Sequence, residues 1–346
     1  MIVLIAFAIF YILAIISTGE SQKNQRILLL IACVILAYLA GVRDPERWAD
    51  TDAYILDFED NVPLFEYSFN RPPFAYTERG FHLLGSIVKL FSNDYVTYLL
   101  FVSAITFIFL YKDLNKYCIF PLIGLCDYIA RFLLNRNFIQ IRSALAIAII
   151  FWAIQYVHSR EWKKYYLWIF IAYFFHHSAL IAVPFYFFNM VRFKKKQIYW
   201  GLVLAFIVAM TLTPAISSFV EDWSTDLQYT TYTSQEYQSE IGLRNPMIYL
   251  QLFIMLYFTY YEEKFSKLSE HYYLLRNAYF YSTLILVVFC QYTALSGRTS
   301  TMFATVEVAM IPLMATSFNK RNRMFFYVIS GVLMVFFFYL KRGGGF

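Results

Sequence analysis

Two adjacent histidines and a serine interrupt an apolar stretch of the chain. His176, His177 and Ser178 lie within the run from Tyr165 to Met190. Polar groups at membrane depth are costly, and they usually face a protein interior or a watery cavity. A neutral imidazole can take up a proton near neutral pH, so either histidine is a candidate general base or pyrophosphate ligand. A buried, hydrogen-bonded junction between helices is the structural alternative, whereas adjacent helical side chains diverge by ~100° and disfavour a metal site.

The composition is that of an all-α polytopic integral membrane protein. Of the 346 residues, 60% are hydrophobic and 15% are charged, and several apolar runs approach the ~20 residues that span a bilayer. These runs do not alternate in the manner of membrane β-strands. The net charge of +6 indicates membrane topology and not nucleic-acid binding. The four cysteines are scattered through apolar segments, without the spacing of a metal site or of a disulfide framework.

Short basic loops predict how the chain crosses the membrane, because such loops stay in the cytoplasm. We expect a single transmembrane domain over residues 1–346, with roughly 10–13 transmembrane or re-entrant helices. The first helix is expected at Met1–Ser17, and external loops at about 43–79 and 218–244. Two short helices that meet near His176 keep the basic loops on both sides of that run inside. This arrangement places the histidine pair towards the external side.

Several arginines remain external in this topology, against the usual bias of loop charge. Guanidinium groups bind phosphate oxygens in pairs, so an anionic lipid headgroup is the natural ligand. The segment from Arg131 to Arg142 is the clearest case, because it carries Arg136 and Gln140 in a predicted turn region; a snorkelling interfacial hairpin is the alternative. Arg298 is expected in a tight connection between two helices, where capping a helix C-terminus is the alternative. The candidate diphosphate ligands are Arg43, Arg79, Arg131, Arg136, Arg142 and Arg298.

The first external loop also offers carboxylate and aromatic side chains. Asp52, Tyr54, Asp57 and Phe58 have helical spacing, which predicts a short helix with Thr51 as its N-cap. Asp50 or Asp52 is expected to orient an arginine or to bind a sugar hydroxyl, and an ordinary solvated helix cap is the alternative for either residue.

Two further carboxylates stand out. Glu78 opens a short amphipathic run, expected to be interfacial or re-entrant, where a negative charge suits the start of a helix. Glu307 is a lone carboxylate in an apolar segment and should have a partner such as an arginine. The second external loop, which contains Trp223, combines carboxylates, hydroxyls and aromatic rings suited to a sugar chain.

Taken together, these short motifs resemble the EpsG family, which groups with Wzy-type polysaccharide polymerases of bacterial envelopes. The resemblance is carried by the arginine-rich loop after the second span, the Glu-x-Gly-Phe at Glu78, the Arg136-to-Ala146 segment, the Phe-His-His-Ser-Ala-Leu from Phe175, and the late Gly-Arg at Gly297. It covers roughly Gly41 to Pro312. The family often has Gly-x-Asp after the loop arginine, whereas this chain has Ala49-Asp50-Thr51-Asp52.

The resemblance implies a metal-independent glycosyltransferase without a cofactor, built like GT-C enzymes around an external-facing cavity. Such enzymes use undecaprenyl-diphosphate-linked glycans at the outer face of the bacterial inner membrane. The growing chain is the donor, a single repeat unit is the acceptor, and undecaprenyl diphosphate leaves. His176 or His177 is then the expected base, with Asp52 or Glu78 in reserve. The predicted glycan contacts are Gln140, Tyr54 and Trp223.

Membrane lipid, a chain-length regulator and a flippase are the further partners expected, and nucleic acid is not. Two other functions share some of these features. An O-antigen ligase or another polyprenyl-phosphate-dependent glycosyltransferase would share the cavity and differ in its acceptor. A flippase for lipid-linked oligosaccharides would need charge deep inside and access from both sides. The candidate polar groups cluster on one side in the predicted topology, which disfavours the flippase.

Overall fold

The computed structural model describes residues 2–69, 78–211 and 242–343, and its elements in these ranges are helices. The α-helices are α1 (Ile2–Ser17), α2 (Gln22–Gly41), α3 (Thr51–Asp60), α4 (Arg79–Val88), α5 (Tyr95–Tyr117), α6 (Pro121–Tyr128), α7 (Ile141–His158), α8 (Trp162–Phe175), α9 (Phe185–Phe188), α10 (Lys195–Thr211), α11 (Pro246–Tyr260), α12 (Glu262–Leu268), α13 (Tyr272–Val288), α14 (Thr293–Ala304), α15 (Glu307–Ala315) and α16 (Lys320–Gly343). Short 3₁₀ helices occupy Pro45–Arg47, Leu64–Glu66, His177–Ala182 and Gly242–Arg244, and a π-helix occupies Ile129–Ile139.

Among the residues that the structure describes, four helices are long and apolar enough to cross a membrane, namely α2, α5, α7 and the Asn322–Tyr339 part of α16. Shorter apolar helices accompany them. On α1, Ile5, Ile9, Ile12 and Ile16 share one helical face and are exposed, as expected for a face that contacts lipid. The described part of the chain is therefore all-helical, and the protein is a polytopic membrane protein, as its composition predicts.

The chain divides into two compact units, and the first comprises Met1–Tyr156, Lys163–Leu180 and Glu307–Phe346. Within this unit α2 packs along α5, α1 and α15 pack on α6, and α16 packs on the π-helix. The α2–α5 contact is close because Gly41 has no side chain. A Cβ at Gly41 would lie 2.7 Å from the Cα of Leu100.

The π-helix of 11 residues continues directly from α6. π-Helical geometry is rare, is mostly limited to single turns and is frequent at functional sites. The predicted turn between Arg131 and Arg142 is wrong at Arg136 and Asn137, because the backbone remains helical to Ile139. It leaves the helical conformation only at Gln140, with φ −91° and ψ 58°.

The helix containing the histidine motif breaks where the sequence predicts a break. α8 ends at Phe175, a 3₁₀ helix covers His177–Ala182, and the short α9 follows. The backbone amide of His176 still donates to the carbonyl of Ala172 at 2.9 Å, so His176 closes the last turn of α8. Two short helical segments therefore meet at the histidine pair, which confirms that part of the prediction.

The second unit comprises Val157–Trp162 and Ile181–Val306. In it α13 contacts α9, α10, α11, α12 and α14. Arg276 of α13 is completely buried; it lies 3.1 Å from Glu262 and donates to the carbonyl of Phe193 at 2.5 Å, which ties two connecting segments to α13. Arg298 lies inside α14, so the predicted tight connection between helices at that residue is wrong.

The short helix predicted in the first loop is α3, and it begins at Thr51. Its N-cap residue is Asp50, with φ of 65°, and not Thr51 as predicted. The Thr51 hydroxyl instead accepts a hydrogen bond from Nε of Arg43 at 3.1 Å. A helix start is commonly uncertain by one or two residues when it is inferred from sequence. This shift leaves the face that carries Tyr54 unchanged.

We expect Gly41→Ala to lower the free energy of unfolding by about 1–3 kcal/mol, as overpacking of a close contact generally does. The added methyl group would meet the Leu100 backbone. Thermal unfolding in detergent measures this change as a lower Tm.

Gly297→Ala in α14 is the matched control, because nothing lies within 4 Å of an added Cβ there. Its Tm should equal or exceed that of the wild type, since alanine favours helices more than glycine does. A Gly41→Ala protein with wild-type Tm would contradict the close packing of α2 on α5.

Candidate active site

A single hydrophobic cluster in the first unit joins five helices. Tyr54 of α3, Phe81 of α4, Tyr98 of α5 and Ile141 of α7 are buried in it, and Phe175 at the end of α8 packs against it. Each side chain that meets at the candidate site either belongs to this cluster or lies within three positions of a residue that packs in it. These side chains are Tyr54, Glu78, Arg142 and His176.

The Glu78 carboxylate joins segments that are far apart in sequence. Its Oε2 accepts a hydrogen bond from Nη1 of Arg142, and its Oε1 lies 2.8 Å from Nδ1 of His176. The side chain of Glu78 is 5% exposed, that of His176 14% and that of Arg142 24%. A carboxylate with so little access to water is stable only when it is paired. The two contacts provide that pairing. Of the three side chains, Arg142 and His176 are the ones that solvent can reach.

The start of α4 is built so that the Glu78 side chain is available for these contacts. Glu78 is the N-cap residue, yet its side chain makes no capping hydrogen bond. Its carbonyl accepts from the backbone amides of Phe81 at 2.9 Å and His82 at 3.1 Å, which begins the helix. Gly80 allows α4 to approach the end of α8, because a Cβ there would lie 2.6 Å from the carbonyl oxygen of Phe174.

The protonation states of Glu78 and His176 follow from their contact. Burial alone raises the pKa of Glu78. The hydrogen bond with His176 and the charge of Arg142 together lower the pKa by more than burial raises it, so the pKa lies below its ordinary value. Glu78 is therefore ionised at neutral pH. Because an ionised carboxylate only accepts hydrogen bonds, Nδ1 of His176 carries a proton and donates it. Nε2 is then the nitrogen that can take up a proton, as in a carboxylate-oriented histidine base.

Tyr54 holds Arg142 from the other side. The Arg142 guanidinium carbon lies 5.6 Å from the centre of the Tyr54 ring, and the two side chains are hydrogen-bonded. Burial raises the pKa of Tyr54, and the nearby Arg142 charge offsets only part of that rise. The phenol therefore keeps its proton at neutral pH. Arg142 is fixed by α3 through Tyr54 and by α4 through Glu78.

Arg43 is a buried cation directly after α2, and it is 5% exposed. Its Nε donates to Thr51, and its Nη1 donates to the carbonyls of Ala40 at 3.0 Å and Asn137 at 3.4 Å. Within residues 2–69, 78–211 and 242–343, its Nη2 has no hydrogen-bond partner. Burial lowers the pKa of Arg43 to about 10, so it remains charged at neutral pH. A buried guanidinium held by neutral groups is suited to an anionic ligand.

The π-helix contributes two further buried arginines. Nε of Arg131 lies 2.7 Å from Oε1 of Glu307, which confirms that Glu307 pairs with an arginine. The guanidinium carbon of Arg136 lies 4.0 Å from the centre of the Phe132 ring, and the side chain is also hydrogen-bonded to Tyr128. Arg131 is therefore neutralised by a carboxylate, while Arg136 lies over an aromatic face and beside a phenol.

Comparison with known proteins is consistent with these motifs. A model of the EpsG family matches residues 26–342 of the chain. The protein belongs to the EpsG family. One relative is the amylovoran biosynthesis protein AmsC of Erwinia amylovora, which is 23% identical over 347 residues; the alignment covers 93% of this chain and 88% of AmsC. No solved structure gives a significant match.

In this EpsG-family protein the other catalytic candidates have different surroundings from His176. The His177 side chain is exposed, and its ring lies 4.9 Å from that of Tyr173. Asp52 is exposed on α3, whereas Tyr54, on the same helix, is buried at the site. The structure therefore brings together His176 and Glu78 but does not bring His177 or Asp52 to the Glu78 carboxylate.

The remaining predicted binding residues are dispersed. Arg79 is exposed and donates to the carbonyl of Phe69, while Gln140 is partly buried where the π-helix ends. Arg298 belongs to the second unit, in α14. Trp223 lies outside the described residues.

The first unit of this EpsG-family protein contains a second buried pair, which the sequence did not predict. Nδ1 of His82 on α4 lies 3.4 Å from Oδ1 of Asp57 on α3. The available signal was spacing, because Asp57 follows Tyr54 by one helical turn and His82 follows Glu78 by one turn. No group of three or more histidine, cysteine, aspartate or glutamate side chains suited to a metal ion occurs in the part of the chain that the structure describes.

The lowered pKa of Glu78 predicts how stability depends on pH. The ionised carboxylate stabilises the fold fully at pH values above the ordinary glutamate pKa, and this stabilisation is lost as the pH falls through the lower folded-state pKa. Glu78→Gln should therefore lower Tm at pH 7, and the difference from wild type should shrink below about pH 4. Thermal unfolding in detergent between about pH 3 and pH 8 measures this difference.

Glu66→Gln is the control, because Glu66 is an exposed glutamate in the first loop. Its Tm difference from wild type should stay near zero across the same pH range. If the Glu78→Gln difference were constant throughout, the stabilisation would not depend on the ionised carboxylate.

Proposed function

We propose that the protein is a Wzy-type polysaccharide polymerase that acts on lipid-linked glycans. It transfers a growing glycan from undecaprenyl diphosphate to the non-reducing end of a second undecaprenyl-diphosphate-linked repeat unit, on the external face of the bacterial inner membrane. Membership of the EpsG family and the similarity to an amylovoran biosynthesis protein support this class of reaction. The observation that carries the proposal is the Glu78 carboxylate, which joins a histidine suited to act as a base to a partly exposed arginine.

The proposed reaction requires a base and a cationic site. A hydroxyl of the acceptor sugar attacks the anomeric carbon of the donor, the new glycosidic C–O bond forms, and the C–O bond to the diphosphate breaks. The hydroxyl proton passes to the base, and the electron pair of the broken bond leaves with undecaprenyl diphosphate. The energy-rich lipid diphosphate replaces a nucleotide donor, and cationic side chains stabilise the developing negative charge.

His176 is the base in this proposal. Its Nδ1 proton is held by Glu78, which fixes the ring and leaves Nε2 to accept the hydroxyl proton. Both oxygens of Glu78 are already engaged, so Glu78 orients His176 and Arg142 and is not itself the base. The exposure of His177 and Asp52 away from this carboxylate supports the same assignment.

Arg142 is the proposed first contact of the diphosphate, because it is the most exposed member of the group around Glu78. Arg43 and Arg136 are buried cations whose charge favours the departing diphosphate. Arg79 of the first unit and Arg298 of the second unit each remain proposed diphosphate ligands on sequence grounds alone. Arg131 supports the site through the π-helix, since Glu307 already neutralises its charge.

The wider architecture of the proposal is GT-C-like. It has roughly 10–13 transmembrane or re-entrant segments in one transmembrane domain and a cavity that opens to the outside. Tyr54, Gln140 and Trp223 are the proposed glycan contacts, and no metal or cofactor takes part. A flippase that delivers the repeat unit and a regulator of chain length are the proposed partners, and membrane lipid surrounds the helices.

We expect His176→Gln to lower kcat for polymerisation by a factor of about 10²–10⁴, the usual contribution of a general base. The lipid-linked donor should bind as in the wild type, because the arginines are unchanged. Turnover and donor binding are measured with purified protein and a lipid-linked repeat unit.

His177→Gln is the matched control, since its side chain is exposed and differs in position by one residue. It should retain near-wild-type turnover. Equal losses in the two variants would refute the assignment of the base to His176.

We expect Arg136→Ala, Arg142→Ala and Arg298→Ala each to abolish polymer while single repeats still reach the cell surface, because each variant loses a cation that binds the diphosphate. Electrophoresis of surface glycan separates polymer from single repeats. Arg192→Ala, an exposed arginine of the second unit, is the control and should leave the polymer ladder intact. Wild-type polymer from all three variants would refute the diphosphate clamp.

The same electrophoretic pattern separates the proposed activity from its relatives. A ladder of repeats formed in vitro from lipid-linked units is the product of a polymerase. A single addition to the acceptor would instead indicate a ligase or another polyprenyl-phosphate-dependent glycosyltransferase.

A further inference from the structure

Asp57 and His82 form a buried pair that the proposed reaction does not use. Their side chains are each 1% exposed, and Nδ1 of His82 lies 3.4 Å from Oδ1 of Asp57. Within the described ranges, neither ring nitrogen of His82 and neither carboxylate oxygen of Asp57 has a hydrogen-bond partner. Buried polar groups without such partners are rare in folded proteins and require an explanation.

The surroundings of the pair belong to the first unit. Tyr98 of α5 is completely buried, and Asp57, Tyr54, Arg142 and Arg43 all lie close enough to act electrostatically on its phenol. The Tyr98 hydroxyl also lacks a hydrogen-bond partner among the described residues.

Two further groups complete these surroundings. The Tyr67 ring centre lies 5.9 Å from that of His82, and Glu78 lies one helical turn before His82 on α4. The pair thus lies beside the candidate site but is shielded from solvent.

The pair connects the two helices that supply Tyr54 and Glu78. Asp57 lies one turn beyond Tyr54 on α3, as His82 does beyond Glu78 on α4. Further along, the Asn61 side chain donates to the carbonyl of His82 at 2.5 Å and accepts from the Ser86 hydroxyl at 2.7 Å. The Asp57–His82 pair is therefore placed between this hydrogen-bonded contact and the end of α4 that carries Glu78.

We propose that Asp57 and His82 are positioning residues: their buried pairing fixes α4 against α3 and thereby holds the Glu78 carboxylate in contact with both His176 and Arg142. Neither residue touches substrate, since the two side chains are almost fully shielded. The pair acts through Glu78. Removing one partner leaves the other as a buried polar group without compensation, which strains the contact between the helices.

A double-mutant cycle on stability tests this role without any assay of activity. The four proteins are the wild type, Glu78→Gln, His82→Ala and the double variant, and the measurement is Tm in detergent at neutral pH. Glu78→Gln should lower the Tm of the wild type. In the His82→Ala background, the same substitution should lower Tm by less than about half of that amount, because Glu78 is already displaced there. An equal cost in both backgrounds would overturn the proposal.

Two comparisons separate positioning from a general loss of stability. His82→Asn keeps an N–H donor near Asp57. In the His82→Asn background, Glu78→Gln should therefore lower Tm by most of the amount seen in the wild type. His271→Ala removes another buried histidine, which lies 3.3 Å from Glu270 in the second unit. Its effect on Tm should simply add to that of Glu78→Gln.

If His82→Ala does not fold, Asp57→Asn, which conserves side-chain volume, takes its place in the cycle and is judged by the same criterion. An additive cost in that cycle would likewise overturn the proposal.

The same cycle can be measured on turnover, and only this second measurement rests on the proposed function. His82→Ala should lower kcat at least about tenfold in the wild type, but less than about threefold in the Glu78→Gln background, with the KM for the donor nearly unchanged. Multiplicative losses would overturn positioning through Glu78. Absence of polymerase activity in the wild type would refute the proposed function and leave the stability cycle to decide the role of the pair.

Discussion

The candidate site depends on one carboxylate that cannot remain unpaired. Glu78 is almost completely buried, and the free-energy cost of an isolated buried charge is far larger than a helix start can offset. It is stable where it is only because Arg142 and His176 both reach it. That single requirement brings the start of α4, the start of α7 and the end of α8 together, and it fixes the tautomer of the histidine at the same time.

Two other buried arginines of the first unit are held in different ways. Arg131 is paired with Glu307 across 176 positions of sequence, which ties the π-helix to α15. Arg43 is held by a threonine hydroxyl and two backbone carbonyls, all of them neutral. Charge neutralised within the protein stabilises the fold, whereas charge held by neutral groups remains available to an anion. The structure thus distinguishes an arginine paired with a carboxylate from one held by neutral groups, a difference that the sequence around them does not show.

Local rules account for what the sequence could predict. Apolar runs predict the helices, the basic loops on both sides of the His176 run predict its break, and a buried carboxylate predicts that Glu307 has an arginine partner. Which arginine it takes depends on the packing of α15 on α6, which no local pattern contains. The π-helix and the helical setting of Arg298 were missed because Asn and Gly favour turns. Asn135 and Asn137 in the one segment and Gly297 in the other therefore suggest a turn where the structure keeps a helix. The Asp57–His82 pair was missed because each residue alone fits an ordinary helix face.

Polar side chains of α3 and of the start of α4 form two layers that serve different purposes. In the first layer, Arg142 of α7 bridges Tyr54 and Glu78. The layer at Tyr54 and Glu78 is partly open through Arg142, and it is the one that can meet a substrate. The layer at Asp57 and His82 is closed to water, so its interaction energy can act only on the relative placement of the two helices. A general base needs its orienting carboxylate held within a fraction of an ångström, and short helices of 10 residues cannot provide that by themselves. A buried polar pair one turn away is a physically sufficient way to provide it, because any slide of α4 along α3 would separate the pair and leave both groups uncompensated.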